Sequence, residues 1–413
     1  MNLRIDRERL RHELEILATF SDAPAPTVTR VVFSEKDLRA RAWLKNLFTT
    51  TAGLAIREDA VGNTFARWRG REPDLPAIGT GSHIDAIPNA GRYDGTVGVL
   101  GGLEAIRSLQ SGGFEPRRSV ELLLFTSEEP TRFGIGCLGS RLLSGSLKPD
   151  VAERLVDRGG ATLREVRCKA GFSGDLDSVR LPRDYYAGFV ELHIEQGPVL
   201  EQRSVDLGVV THIAAPASLR VLIKGEGGHA GAVLMPDRRD AFVAAAEIAL
   251  ATEKAALVTG SVDTVATTGV CNVFPGAVNS IPSRVDLEID IRDIDGSRRD
   301  SVVEALTEAC EEIGAKRNVV VDCEILNSDG PASCDARIVE TLMGSCGEQG
   351  RSYLSMVSRA YHDSLFMSRI CPVAMLFIPC RKGVSHRPDE YASIDDIANG
   401  TRVLATTLAR LSE

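Results

Sequence analysis

Short apolar runs alternate with helical patterns over the first two hundred residues. The run LPAIGTGSHID reads as a buried strand ending in polar residues, and TVGVLGGLEAIRSLQ follows as a helix whose small residues permit close packing. SVELLLFTSEEP and GFVELHIEQGPVLE are two further strands, each ending in acidic or imidazole side chains. Runs of this length, separated by helices and not alternating with polar positions, predict a mainly parallel sheet covered on both faces. In open sheets of that kind the functional groups gather at the carboxyl ends of the strands.

The pattern changes near residue 212. LRVLIKGEGG is strand-like, DRRDAFVAAAEIALATEKAA a long amphipathic helix, and VDTVATTGVCNVF and SRVDLEIDIRD two strands. SRRDSVVEALTEACEEIGAK is a second helix and NVVVDCEIL a last strand. The order β-α-β-β-α-β is that of a ferredoxin-like unit, so residues 212–326 are expected to be an inserted domain. Residues 1–211 and 327–413 then form the two parts of the surrounding α/β domain, with hinges near Gly208 and in LNSDGPAS. The return segment carries a helix in DARIVETLMGSCGEQG, a strand in PVAMLFIPC and a C-terminal helix from about residue 393.

The composition is ordinary for a globular chain: 413 residues, 43% hydrophobic and 25% charged. A net charge of −9 without basic blocks argues against nucleic acid and anionic membranes as partners, and leaves a small molecule as the expected one. No apolar stretch is long enough to span a bilayer, and the first twenty residues lack the apolar core of a signal peptide. The nine cysteines are scattered and never form CxxC, which disfavours a disulfide framework or a structural zinc cluster; Cys137, Cys310 and Cys371 read as core residues. A cytoplasmic location is expected.

The chemistry lies in the histidines. Three of the seven sit beside carboxylates after apolar strands, in GSHID, ELHIEQG and GVSHRPDEY, and a fourth strand ends in SEEP. Imidazoles mixed with hard carboxylates, without thiolates, suit Mn²⁺, Zn²⁺ or Co²⁺. The expected arrangement is two metals, about 3.5–4 Å apart, bridged by Asp94. His83 and Glu129 would complete one metal, or be shared differently with His193 and His386. Asp85 would accept from His83 and fix its tautomer. Glu128 and Glu129 are adjacent, so on extended backbone they point apart, which permits one as ligand and the other as general base.

Seven segments occur in one order: GSHIDAIPNAGRYDG, FTSEEPTRFG, LHIEQGPVLE, GGHAG, FPGAVNSIP, DIRD and SHRPDEY. In these the chain resembles the dinuclear metallo-amidohydrolases of the hydantoinase/carbamoylase type, a branch of the zinc aminopeptidase clan. The resemblance implies a zinc-aminopeptidase-like catalytic domain with an inserted ferredoxin-like α+β domain serving as lid and dimerisation surface. It implies that His83, Asp94, Glu129, His193 and His386 hold two divalent ions, Mn²⁺ first and Zn²⁺, Co²⁺ or Ni²⁺ as alternatives. Glu128 is then the catalytic acid/base and Gln196 lines the pocket. His229, Asn279 and Arg292 are implied substrate contacts on the smaller domain, with His229 reaching the partner subunit's site in a homodimer to stabilise the oxyanion. An arginine there suits bidentate capture of a substrate carboxylate.

Two segments narrow the expected substrate. SRAYHDS stands where carbamoyl-amino-acid amidases of this family have a SGAGHDA-like run, and GHAGAVLMP departs from their more usual HAGTTPM. Tyr361 and His362 would then approach the hydroxylated α-carbon of a small substrate. The expectation is hydrolysis of the ureido group of (S)-ureidoglycolate to glyoxylate, ammonia and carbon dioxide, in purine (allantoin) catabolism. Allantoate or an N-carbamoyl-L-amino acid is the alternative. A non-catalytic scaffold is disfavoured, because all five ligand positions and Glu128 are filled.

Overall fold

The computed structural model describes residues 3–413. The chain forms two compact units: Met1–Thr211, Ser333–Ser358 and His362–Glu413 make the first, His212–Ala332 and Arg359–Tyr361 the second. The boundary expected at 326 falls inside the strand Val320–Ser328, so the second unit runs on to Ala332. Among the described residues no helix is long and apolar enough to cross a membrane.

In the first unit the strands lie in the order Leu207–Ile213, Val373–Ile378, Tyr186–Ile194, Ala77–Ser82, Val120–Leu124, Thr64–Trp68, Ala55–Glu58. The middle four run parallel; the outer ones are antiparallel additions. The four parallel strands are the four apolar runs of the sequence. The antiparallel edge at residues 55–68 was not among the expected strands, because TFARW mixes charged and apolar residues.

Burial on both faces explains the missing alternation. Leu122 and Leu124 pack on one side with the helices Arg7–Thr19, Glu35–Ala52, Thr96–Ser111, Ala336–Glu348 and Ile394–Ser412. Leu123 and Phe125 pack on the other with Leu138, Leu142, Leu163 and Val166. Each such side chain contributes about 1.5–3 kcal/mol on burial. The helix Thr96–Ser111 lies directly on the sheet: a Cβ at Gly98 would stand 2.4 Å from the Leu192 carbonyl oxygen. That contact sets the helix, and the loop before it, against the strand that carries His193.

The second unit is a four-stranded antiparallel sheet in the order Val265–Phe274, Arg284–Asp293, Ala215–Lys224, Val320–Ser328. Here the alternation is clean: Val285, Leu287, Ile289 and Ile291 share a core with Leu219, Val221 and Ile223 under the helices Ala241–Val258 and Gly296–Arg317. The first of these helices departs in part from the amphipathic expectation. Ala244, Ala245 and Ile248 face inward, yet Phe242, Val243, Leu250, Leu257 and Val258 are exposed on its other side.

Candidate metal centre

The four parallel strands of the first unit deliver their carboxyl ends side by side. His83 follows Ala77–Ser82, Glu128 and Glu129 follow Val120–Leu124, His193 is the penultimate residue of Tyr186–Ile194, and His386 is in the loop after Val373–Ile378. Asp94 comes from the glycine-rich loop before the helix Thr96–Ser111. The glycine that follows it is required twice over. Gly95 has φ +65°, and a Cβ there would stand 2.5 Å from His83 Nε2.

The ligand-type atoms fall into two groups that share Asp94. His83, Asp94 and His193 offer atoms within 4.8 Å of one another, and so do Asp94, Glu129 and His386. Asp94 Oδ1 is 3.2 Å from His193 Nε2 and 3.5 Å from His83 Nε2, while Oδ2 is 3.3 Å from His386 Nε2. His386 Nε2 is also 3.2 Å from Glu129 Oε1. His83 therefore groups with His193, and Glu129 with His386. Of the two adjacent glutamates, Glu129 faces His386 and Glu128 faces His83, its Oε2 3.7 Å from Nε2.

The tautomers point the same way. His83 Nδ1 donates to the Asp85 carbonyl at 3.0 Å and His193 Nδ1 to the Ile194 carbonyl at 2.9 Å. His83 Nε2 is thus left facing Asp94, while His193 Nε2, which also faces Asp94, accepts from the Gly95 main-chain N–H at 3.1 Å. Asp85 accepts from His83 as expected, through its main-chain carbonyl, with its carboxylate Oδ1 3.7 Å from the same nitrogen. The carboxylate itself accepts from the main-chain N–H of Glu128 (3.2 Å) and Glu129 (3.0 Å), and so fixes the segment that carries both glutamates. Burial, opposed by His83, leaves the Asp85 carboxyl raised to about 6.

Charge is concentrated here, and the imidazoles answer it. Burial pushes Asp94 up, but hydrogen bonds from His193, His386 and His83 hold it well below the ordinary carboxylate range. Burial opposes the charged form of His83, yet Glu128 and Asp94 raise its pKa well above the usual value. His193 is raised too, its burial outweighed by Asp94. Hydrogen bonds to Asp94 and Glu129 take His386 up to about 11. Glu128 is held well above its ordinary range, chiefly by burial and further by Glu129. Converging imidazole Nε2 atoms and carboxylate oxygens, with Nδ1 tied to the backbone, form a donor set that fits two divalent cations.

The remaining expected residues divide between the units. Gln196 stands beside the centre and donates from Nε2 to Asp94 Oδ2 at 2.6 Å. His362 is buried behind His193, ring centroids 4.6 Å apart and edge-on, its Nε2 2.9 Å from Ser358 Oγ, and not open to a substrate as expected. Glu191 completes a third group with His193 and His362, but its carboxylate is taken by Ser82 Oγ (2.7 Å) and Ser364 Oγ (2.6 Å). In the second unit His229 pairs with Ser280 on a short antiparallel ribbon, and next to it Ala230 N–H donates to the Asn279 carbonyl. Arg292 donates to Asp290 Oδ1 (2.7 Å) and to the Arg359 carbonyl (3.1 Å), and the Tyr361 hydroxyl donates to Asp329.

Two residues at the centre were not singled out from the sequence. Ser385 Oγ lies 2.7 Å from Asp94 Oδ2 and 3.0 Å from Glu390 Oε2. Glu390 Oε1 accepts from the main-chain N–H of Tyr93 (2.7 Å) and Asp94 (3.1 Å), and burial near Asp94 raises its carboxyl to about 7. The only sequence signal is their place in SHRPDEY, around His386.

The facing carboxylates raise all three imidazoles above their ordinary pKa against the pull of burial. Uptake of a divalent cation by the cation-free protein is therefore expected to release protons, and to tighten as pH rises toward the His386 value of about 11. Calorimetry in buffers of different ionisation enthalpy measures this; uptake without proton release would contradict the cluster described.

The model of peptidase family M20/M25/M40 matches residues 79–410. A ureidoglycolate hydrolase of Arabidopsis thaliana is 54% identical over 420 residues, covering 100% of this chain and 88% of the relative. An N-carbamoyl-L-amino-acid amidohydrolase of Pseudomonas sp. (strain NS671) is 36% identical over 410 residues, with 98% of each covered. AtUAH, solved in complex with glyoxylate and with (S)-hydroxyglycine, superposes with TM-score 0.90 at 53% identity, covering 99% of this chain and 98% of that one. The chain belongs to peptidase family M20/M25/M40.

Proposed function

We propose that this chain hydrolyses the ureido group of (S)-ureidoglycolate to glyoxylate, ammonia and carbon dioxide, a step of purine-ring breakdown. The observation that carries the substrate is the full-length likeness to the Arabidopsis ureidoglycolate hydrolase, 54% against 36% for the carbamoylase. Glyoxylate and (S)-hydroxyglycine, the ligands of AtUAH, are the two-carbon fragments such a cleavage leaves. Water adds to the ureido carbonyl and the bond to the nitrogen on the hydroxylated carbon breaks. The carbamate decays to ammonia and carbon dioxide, and hydroxyglycine loses ammonia to give glyoxylate.

Two divalent ions, Mn²⁺ first given the nitrogen and oxygen donors, would polarise the ureido carbonyl and supply a nucleophilic water at neutral pH. His83 and His193 would hold one, Glu129 and His386 the other, with Asp94 between them. Glu128 is the acid/base: buried beside His83, it takes the water's proton and returns it to the leaving nitrogen. Gln196 Oε1 is buried without a partner, an acceptor for a substrate N–H. His229 and Asn279 are assigned to the developing oxyanion and Arg292 to the carboxylate, its guanidinium keeping further N–H groups beyond those given to Asp290 and Arg359. Tyr361 is assigned to the substrate hydroxyl, and His362 supports the His193 ring from behind.

A cytoplasmic site of action agrees with the cysteines, all nine of which are free thiols. A homodimer through the second unit agrees with the exposed apolar side of the helix Ala241–Val258 and with the unpaired outer edge of Val265–Phe274.

With Mn²⁺ loaded, the purified protein is expected to release ammonia and glyoxylate from (S)-ureidoglycolate with a higher kcat/KM than on allantoate or N-carbamoyl-L-amino acids. Faster turnover of either alternative would move the substrate assignment to it, and the same panel with Zn²⁺, Co²⁺ and Ni²⁺ ranks the ions. Glu128→Gln is expected to keep bound metal while kcat falls by about 10²–10⁴-fold; unchanged turnover removes Glu128 from the mechanism. The pair Leu250→Glu and Leu257→Glu is expected to turn a dimer into a folded monomer by light scattering, and an unchanged mass would place the interface elsewhere.

A further inference from the structure

Glu390 is a buried carboxylate that neither the ligand groups nor the acid–base chemistry uses. It joins two loops far apart in the chain, the one ending in Asp94 and the one carrying His386. Its Oε1 fixes the first through the N–H groups of Tyr93 and Asp94. Its Oε2 meets the second at Ser385 Oγ, 3.0 Å away.

The position of Ser385 makes this more than a strut. Its Oγ is also 2.7 Å from Asp94 Oδ2, and a hydroxyl has one proton to give. Ser385 therefore donates to Asp94 or to Glu390, never to both. Asp94 Oδ2 already accepts from Gln196 Nε2 at 2.6 Å, and it is the oxygen that faces His386. A carboxylate oxygen has about two lone-pair sites. With Gln196 and Ser385 both donating, Oδ2 has nothing left for a cation shared with Glu129 and His386. Of the two donors, Ser385 has a carboxylate within reach at 3.0 Å, whereas the other acceptor near Gln196 Nε2 is Ser385 Oγ itself, at 3.5 Å.

We propose that Glu390 is a positioning residue for the second cation: it receives the Ser385 proton and so frees Asp94 Oδ2 for the group formed with Glu129 and His386. This rests on the reading of two cations that share Asp94. Asp94 Oδ1, which faces His83 and His193, takes no part, so the first cation is independent of the pair.

Mn²⁺ titrated into the chelator-stripped, full-length protein, followed by calorimetry and by the EPR signal of free ion, tests this without turnover. Wild type is expected to take two equivalents. In Glu390→Gln the amide oxygen still serves the two main-chain N–H groups, but its NH₂ turns toward Ser385 and keeps that hydroxyl on Asp94. The first equivalent should then bind as in wild type and the second about 10–100-fold more weakly. Ser385→Ala removes the competing donor and should bind the second at least as tightly as wild type. The double variant Ser385→Ala/Glu390→Gln should regain the second equivalent. An unchanged Glu390→Gln, or a double variant as weak as Glu390→Gln alone, overturns the proposal while leaving two cations in place. A wild-type chain that takes fewer than two equivalents overturns the two-cation reading, and the proposal with it.

Discussion

Asp94 has been taken out of water while keeping its charge, and the catalytic half of the molecule is arranged around that fact. An isolated buried carboxylate costs several kcal/mol, and it persists only where charge and hydrogen bonds answer it. Here three imidazoles, an amide and a hydroxyl converge on its two oxygens. One oxygen looks toward His83 and His193, the other toward His386, and this division turns a single side chain into the partition between two binding groups. Positive charge is needed between these partners at all times.

Holding such a cluster strains the loops that present it. Ser127, Cys137, Gln196 and His386 all have φ between +54° and +58°, a region that costs a residue with a side chain of order 1–3 kcal/mol. All four flank the centre, next to the glutamates, beside Glu128, or on the strand-end loops. Four parallel strands with apolar side chains locked on both faces absorb that strain, because their ends cannot move apart without opening two cores.

Strand ends were legible in the sequence because a strand buried on both faces reads as an apolar run, and a polar residue that stops such a run needs a reason. His83, His193, His386 and the Glu128–Glu129 pair all stood out in this way, and the structure gathers them. What the sequence hides is contact between distant loops. Glu390 meets residues 296 and 297 positions away, and nothing in RPDEY distinguishes a clamp from a solvated acid. Asp85 was legible only in part: it accepts from His83 as expected, but through its main-chain carbonyl, while its carboxylate turns to the glutamate segment, a contact with no sequence signature. Arg292 shows the same limit, since a neighbour two places back on its own strand, Asp290, occupies part of a guanidinium expected to stand open. The helix Ala241–Val258 carries Glu253 and Lys254 on its outer side as an amphipathic helix does, but Phe242, Leu250 and Leu257 are exposed as well.

The order of residues along the chain has a consequence for biosynthesis. His83, Asp94, Glu129 and His193 all precede the second unit, whereas His386 follows it. A ribosome must therefore finish the whole inserted sheet and its two helices before the last imidazole emerges. Until then the nascent polypeptide presents one complete trio, His83 with Asp94 and His193, and a second that wants its third member. The members of the first trio are thus all synthesised before the inserted unit, and the last member of the second only when the polypeptide is nearly made.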